Sequence, residues 1–169
     1  MIYLIWLLRI IHIVAGVFWV GGTLIMTFFL GPTVGATGEA GQRFVGHLMN
    51  ELKFSNRMSA AAGLSILAGL ILFYLDSRAG AAWLRSGFAI GLSIGAAFAL
   101  VGFIFGIMIG RTTKAMAQLG ARMQGNPSAD QIAEMQAIRN RQATYSTISA
   151  TALILAVTFM AIARYLGMG

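Results

Sequence analysis

Two histidines, no cysteine and five acidic residues in 169 leave side-chain chemistry few places to sit. No Ser-His-Asp triad, Gly-rich phosphate loop after a strand, or paired-carboxylate site can be assembled from them. Zinc needs more His, Asp or Glu at close spacing than this chain offers. One helix face does gather reactive types. At about 100° per residue, Arg9, His12, Gly16, Trp19 and Thr23 fall within an arc of about 80°. All five lie in an apolar run from Tyr3 to Leu30. A charge and an imidazole inside such a run are costly unless partnered, so a functional role is the default hypothesis there.

A haem b site would use each of these residues. A neutral imidazole at His12 can ligate iron. Gly16, one turn on, removes the side chain that would block a porphyrin face. Arg9, one turn the other way, can pair with a propionate, and Trp19 can pack against the macrocycle edge. Met160, at similar depth on the last apolar run, is a candidate second ligand; five-coordinate iron is the other option. The plain alternative is that His12 hydrogen-bonds a neighbouring helix and Arg9 snorkels outward. His47 stands four residues before Glu51, the spacing of a surface pair, and lies far from His12. Copper is a further alternative, since methionine suits Cu(I). The ten methionines are scattered, however, and many fall in apolar rows that read as packing.

The elements that position these residues follow from composition. Hydrophobic residues make up 58% of the chain and charged residues 10%, against about a quarter charged in soluble domains. That excludes an ordinary soluble domain, a disordered chain and a disulfide scaffold. Four stretches reach the ~20 apolar residues a spanning helix needs: residues 3–30, about 55–76, 83–110 and about 143–166. None alternates with period two, so helices rather than a barrel are expected. No basic residue precedes the first run and no cleavage site stands out, so it reads as a retained helix. Eight Lys and Arg (43, 53, 57, 111, 114, 122, 139 and 141) fall between spans 1 and 2 or 3 and 4. Arg9, Arg78, Arg85 and Arg164 fall on the other side. That bias predicts a bacterial inner-membrane protein with both termini outside. Membrane lipid is the expected partner, and nucleic acid is not, because no basic cluster is interleaved with stacking aromatics.

The segments between spans carry helical patterns of their own. Gly125-Asn126-Pro127 is a break, and Ser128 with Gln131 has capping-box spacing. Met116, Leu119 and Met123 recur on one side of the break; Ile132, Met135 and Ile138 recur on the other. Helix 3 should therefore run to about residue 124 and helix 4 start near 129. Phe44, Leu48 and Leu52 suggest that helix 2 also starts early. The expected fold is all-α, an integral membrane four-helix bundle, with helices 2–4 extended beyond the bilayer into the cytoplasm. Gly87, Gly91, Gly95, Ala99, Gly102, Gly106 and Gly110 keep to one slowly drifting face of helix 3. Such a face packs inside the bundle, or serves a homo-oligomer, a larger membrane complex or a flat ligand. Thr144, Thr147, Thr151 and Thr158 share a face of helix 4 and read as interhelical packing.

The stretch Leu8-Arg9-Ile10-Ile11-His12 through Trp19-Val20-Gly21-Gly22 resembles the opening helix of a loose group of small four-helix membrane proteins. That group includes the CopD copper-resistance family and the HemJ-type protoporphyrinogen oxidases. The resemblance implies a four-helix bundle and a first-helix histidine, here His12, as a haem ligand. HemJ-type enzymes open helix 3 with Trp-Leu-x-x-Lys; the matching stretch here is Trp83-Leu84-Arg85-Ser86-Gly87, with Gly at the Lys position. The sequence thus leads to a membrane protein binding haem b through His12, with an electron-transfer or redox role. A non-enzymatic accessory or scaffold subunit, or a copper-handling protein, is the alternative.

Overall fold

A computed structural model describes residues 2–123 and 125–166. Their secondary structure is helical throughout: α1 (Ile2–Ile25), a π-helical turn (Met26–Leu30), α2 (Gly31–Thr37), α3 (Glu39–Asn50), α4 (Phe54–Ser77), α5 (Ala81–Leu84), α6 (Gly87–Arg122), α7 (Ala129–Ile162) and a closing 3-10 turn (Ala163–Tyr165). Four continuous helical segments are long and apolar enough to cross a membrane: Ile2–Thr37, Phe54–Ser77, Gly87–Arg122 and Ala129–Tyr165. Only 11–33% of the most apolar window in each is buried inside the protein. Side chains such as Tyr3, Val14, Val17 and Leu67 are exposed, an apolar surface far too extensive for water.

The helices associate chiefly as two antiparallel pairs. In the first, α1 packs on α4, with Gly22 opposite Met58 and Phe54, Gly16 opposite Ser65, and His12 opposite Gly69. In the second, Gly91, Gly95 and Gly102 of α6 face Ala163, Met160 and Leu153 respectively. Lipid gives helices no hydrophobic drive towards one another, so close approach over small residues and interhelical hydrogen bonds must hold them. Both are present. A Cβ at Gly95 would lie 2.7 Å from Met160 Cγ and 3.0 Å from the Ala156 carbonyl oxygen. The Ser149 hydroxyl donates to the Gly102 carbonyl at 2.9 Å, fully buried. Phe98 stacks on Phe159 with ring centroids 5.8 Å apart. The two pairs meet where Trp19, Ala61, Ala62 and Leu153 are buried together against Phe103 and Met58.

The long helices extend the second pair. At about 1.5 Å per residue, the 36 residues of α6 and the 34 of α7 reach roughly 50 Å or more, against ~30 Å of hydrocarbon. The Ser128–Gln131 capping box is formed in both directions. Leu119 is buried and Gln142 bonds Thr113 across the seam at 3.3 Å. The expected helix 3 end at residue 124 lies outside the described residues; α6 itself closes at Arg122.

The structure corrects four expectations. The first helix does not stop at Gly31-Pro32. It widens into the π turn, where the Gly31 N–H bonds the Met26 carbonyl, and continues to Thr37 with Pro32 in the first turn of α2. Proline brings no N–H to lose there and the looser turn makes room for its ring. Helix 2 does not begin early. Phe44 and Leu48 belong to a separate helix α3, and Lys53, at φ +50, breaks the chain before α4. α3 packs on α2 and only slightly on α4, and does not reach α6 or α7. Helix 2 therefore does not lengthen alongside α6 and α7. Helix 3 does not begin at Trp83: α5 ends at Leu84 and Ser86 caps a new helix by accepting from the Ala89 N–H at 3.2 Å. Finally, the threonines of α7 face outward. Thr144, Thr147 and Thr158 bond the carbonyls four residues back within their own helix, which hides the hydroxyl from lipid.

The helix 3 glycines thus divide by environment. A Cβ at Gly106 or Gly110 would meet nothing within 4 Å. We expect Gly95→Ala to lower stability by about 1–3 kcal/mol through overpacking. Gly106→Ala should be neutral or slightly stabilising, because it raises helix propensity in open space. Thermal unfolding in a mild detergent checks both.

Candidate functional site

His12 sits in the α1–α4 seam, half-buried. Its Nδ1 lies 2.7 Å from the Ser65 carbonyl oxygen. A carbonyl can only accept, so Nδ1 carries the proton and donates. The neutral ring then has its lone pair on Nε2. No hydrogen bond to Nε2 is present among the described residues, and no buried polar side-chain atom among them lacks a partner. Nε2 is therefore unbonded but not sealed in.

The seam is built around that ring. Ser65 is buried, and its hydroxyl donates to the His12 carbonyl at 3.0 Å while lying 3.3 Å from Nδ1. His12 and Ser65 thus clasp each other through both side chains and both carbonyls. A bare Cα at Gly69 makes room for the ring: a Cβ there would lie 2.8 Å from His12 Cε1 and 2.9 Å from Nδ1. The backbone carbonyls of His12 and Ser65 already accept helical bonds, so these extra donors use their second lone pairs.

The other residues of the expected face go to different surroundings. Arg9 is exposed and makes no ion pair among the described residues. Gly16 does not present a bare face, because Ser65 Oγ occupies its notch at 3.1 Å from where a Cβ would be. Trp19 is buried at the meeting of the two helix pairs, edge-on to Phe103 at 6.2 Å. Thr23 bonds the Trp19 carbonyl at 2.9 Å. Met160 packs its Cγ towards Gly95 of α6, whereas His12 faces α4. His47 is exposed on α3, on a different element, and the ion pair of that helix is Arg43 to Glu39 at 3.2 Å. The helix face therefore splits, with His12 and Gly16 in the α1–α4 seam, Trp19 in the core and Arg9 outside.

Ser65 and Gly69 are the residues that reading the first span alone does not find. Their signal is the small-residue row Ala61, Ser65, Ala68 and Gly69 on the second span, which permits a partner helix to approach closely. Met58, one turn earlier, fills the space beside Gly22. No group of three or more His, Cys, Asp or Glu positioned to hold a metal ion occurs among the described residues. No protein-family model, curated protein or solved structure matches the chain.

The clasp makes a directional prediction. Asn at position 12 can place an amide N–H where Nδ1–H stands and keep the bond to the Ser65 carbonyl. His12→Ala cannot, and should lower stability by roughly 1–2 kcal/mol. Unfolding midpoints in detergent should therefore rank wild type and His12→Asn together, above His12→Ala.

Proposed function

We propose that the chain is an integral membrane protein that holds haem b through Nε2 of His12 and serves in electron transfer. The observation that supports this is the 2.7 Å bond from Nδ1 to the Ser65 carbonyl. Ligating histidines characteristically donate their other N–H to a carbonyl, which fixes the tautomer, orients the ring and raises the basicity of the ligating nitrogen. The donor chemistry at His12 would suit a single imidazole bond to haem iron. Haem, when bound, supplies a one-electron couple whose potential follows its axial ligand and surroundings. The chain's own contribution is positional. The Ser65 carbonyl holds the imidazole and keeps the proton on Nδ1, Gly69 leaves space for the ring, and Arg9 offers an exposed cation for a propionate. Gly16 and Trp19 are engaged in packing, so they are not assigned to the porphyrin. Met160 lies in the α6–α7 seam, which favours His12 as the sole protein ligand.

A second reading is carried by the same seam. If the His12–Ser65 clasp serves only to join α1 to α4, the protein is a non-enzymatic scaffold or accessory subunit. The occupied Gly16 notch favours that reading. Contacts with further copies or subunits would then use the open Gly106–Gly110 stretch of α6.

Visible spectra separate the two. Protein purified from haem-replete cells should show a Soret band and a reduced α-band. Both should vanish in His12→Ala and in His12→Asn, while His12→Asn stays as stable as wild type. A colourless wild-type preparation refutes the haem reading and leaves the scaffold.

The same proposal places the protein in a bacterial inner membrane with both termini outside, following the basic bias of residues 43–57 and 111–141. The absence of native cysteine makes this easy to test. Asn126→Cys should react with an impermeant maleimide only after the inner face is opened. Ala79→Cys should react in intact cells.

A further inference from the structure

An open groove of about 380 Å³ lies beside the α1–α4 pair, at the end opposite the N-terminus of α1. Its walls are Val17, Phe18, Gly21, Gly22 and Ile25 of α1, Met26 and Leu30 of the π turn, Phe44 and Leu48 of α3, and Phe54 of α4. Every lining residue is apolar or glycine, and the size falls in the usual range of about 300–1,000 Å³ for ligand sites. The groove exists because α3 folds back as a separate helix rather than extending α4. Gly21 leaves its floor open, since a Cβ there would meet nothing within 4 Å.

The rim is charged in a particular way. Lys53 immediately precedes the lining residue Phe54, and Arg57 follows one turn later; both are exposed. The nearby Arg43 is neutralised by Glu39, whereas Lys53 and Arg57 make no ion pair among the described residues. Lys53 is also the only non-glycine residue with positive φ among those described, at +50°. That conformation is easily adopted by Gly or Asn and disfavoured for a long side chain. The left-handed turn sets the exposed Lys53 directly before Phe54, a residue of the groove wall.

We infer that this groove is a binding site for an anionic glycerophospholipid. One acyl chain lies along Val17–Leu30 beneath Phe44, Leu48 and Phe54, and the phosphate meets Lys53 and Arg57. Apolar walls select a hydrocarbon chain, and unpaired cations at the rim select a negative headgroup over a zwitterionic one. The site is independent of His12 and of any haem.

Native mass spectrometry of the full chain, released from nanodiscs of equal phosphatidylglycerol and phosphatidylcholine, tests this. Wild type should retain one lipid, chiefly phosphatidylglycerol. Lys53→Asn and Arg57→Gln should each reduce the preference roughly fivefold, about the contribution of one basic residue near an anionic surface. Lys53→Asn should at the same time keep or raise thermal stability, because it relieves the backbone, so loss of lipid cannot be put down to misfolding. Gly21→Phe should fill the groove and abolish retention of both lipids with the fold intact. Retention of neither lipid by wild type overturns the proposal. So does equal retention of both, or a preference unchanged in the Lys53 and Arg57 variants. Gly21→Phe retaining lipid like wild type places the bound chain elsewhere and overturns it too.

Discussion

Helices surrounded by lipid gain no apolar burial by touching each other, and this constraint governs the molecule. What remains is dispersion at very close range and hydrogen bonds that lipid cannot replace. Both seams are built that way. Gly91, Gly95 and Gly102 let α7 rest on the backbone of α6, and Ser149 adds a buried bond to the Gly102 carbonyl. Gly16, Gly22 and Gly69 do the same between α1 and α4, and His12 with Ser65 supplies the polar link. Large apolar side chains, which would make the core of a soluble protein, are turned out to lipid. The buried residues are instead mostly alanine, glycine and serine, with Leu8, Trp19, Leu119 and Leu153 as the larger exceptions.

Seen from that constraint, His12 is a polar group that solves a packing problem and leaves one nitrogen over. The α1–α4 seam needs only one donor from the ring, and Nδ1 provides it. A serine or asparagine at position 12 could also supply a donor to the seam, but neither would offer a basic ring nitrogen beside it. Position 12 carries an imidazole whose second nitrogen is unbonded, beside a glycine that leaves room for the ring. This surplus is the physical basis for reading the clasp as a ligand mount as well as a joint. It also explains why Ser65 matters through its backbone: replacing its side chain removes the hydroxyl bond but leaves the carbonyl that fixes the tautomer.

The parts legible in the sequence were those controlled by one segment at a time. The four apolar runs and the Ser128–Gln131 cap depend on local composition and spacing, and the structure has both, while the glycine face of helix 3 packs on α7 at Gly91, Gly95 and Gly102 and is open at Gly106 and Gly110. The misread parts depend on partners or on single backbone angles. Phe44, Leu48 and Leu52 have helical spacing whichever helix they join; only the left-handed Lys53 decides that the helix is separate. Pro32 looks like a stop until the π turn before it is known. Gly16 reads as an empty notch on α1 alone, and its occupant, Ser65, stands 49 residues away on another helix. The threonines of α7 form a face in projection, but their hydroxyls turn back to their own carbonyls, which makes that face compatible with lipid.

The two ends of the bundle differ chemically, and the candidate sites follow that difference. Near the α1 N-terminus lie the aromatic pair Tyr3–Trp6 and the chain of edge-to-face contacts Phe73–Trp83–Phe88, whose Tyr and Trp rings are amphipathic and suited to a headgroup boundary. Arg9 and His12 lie on the same side of the molecule, a few turns below. At the other end basic residues outnumber aromatic ones, α3 folds back, and the helix of the first span loosens into the π turn. A π turn inserts an extra residue into the helical register, so side chains beyond it are rotated relative to those before it. The groove draws on both sides of that turn: Val17, Phe18, Gly21, Gly22 and Ile25 precede it, and Met26 and Leu30 lie within it. The local irregularity that hid α2 from sequence reading thus lies at the groove end of the bundle, away from His12.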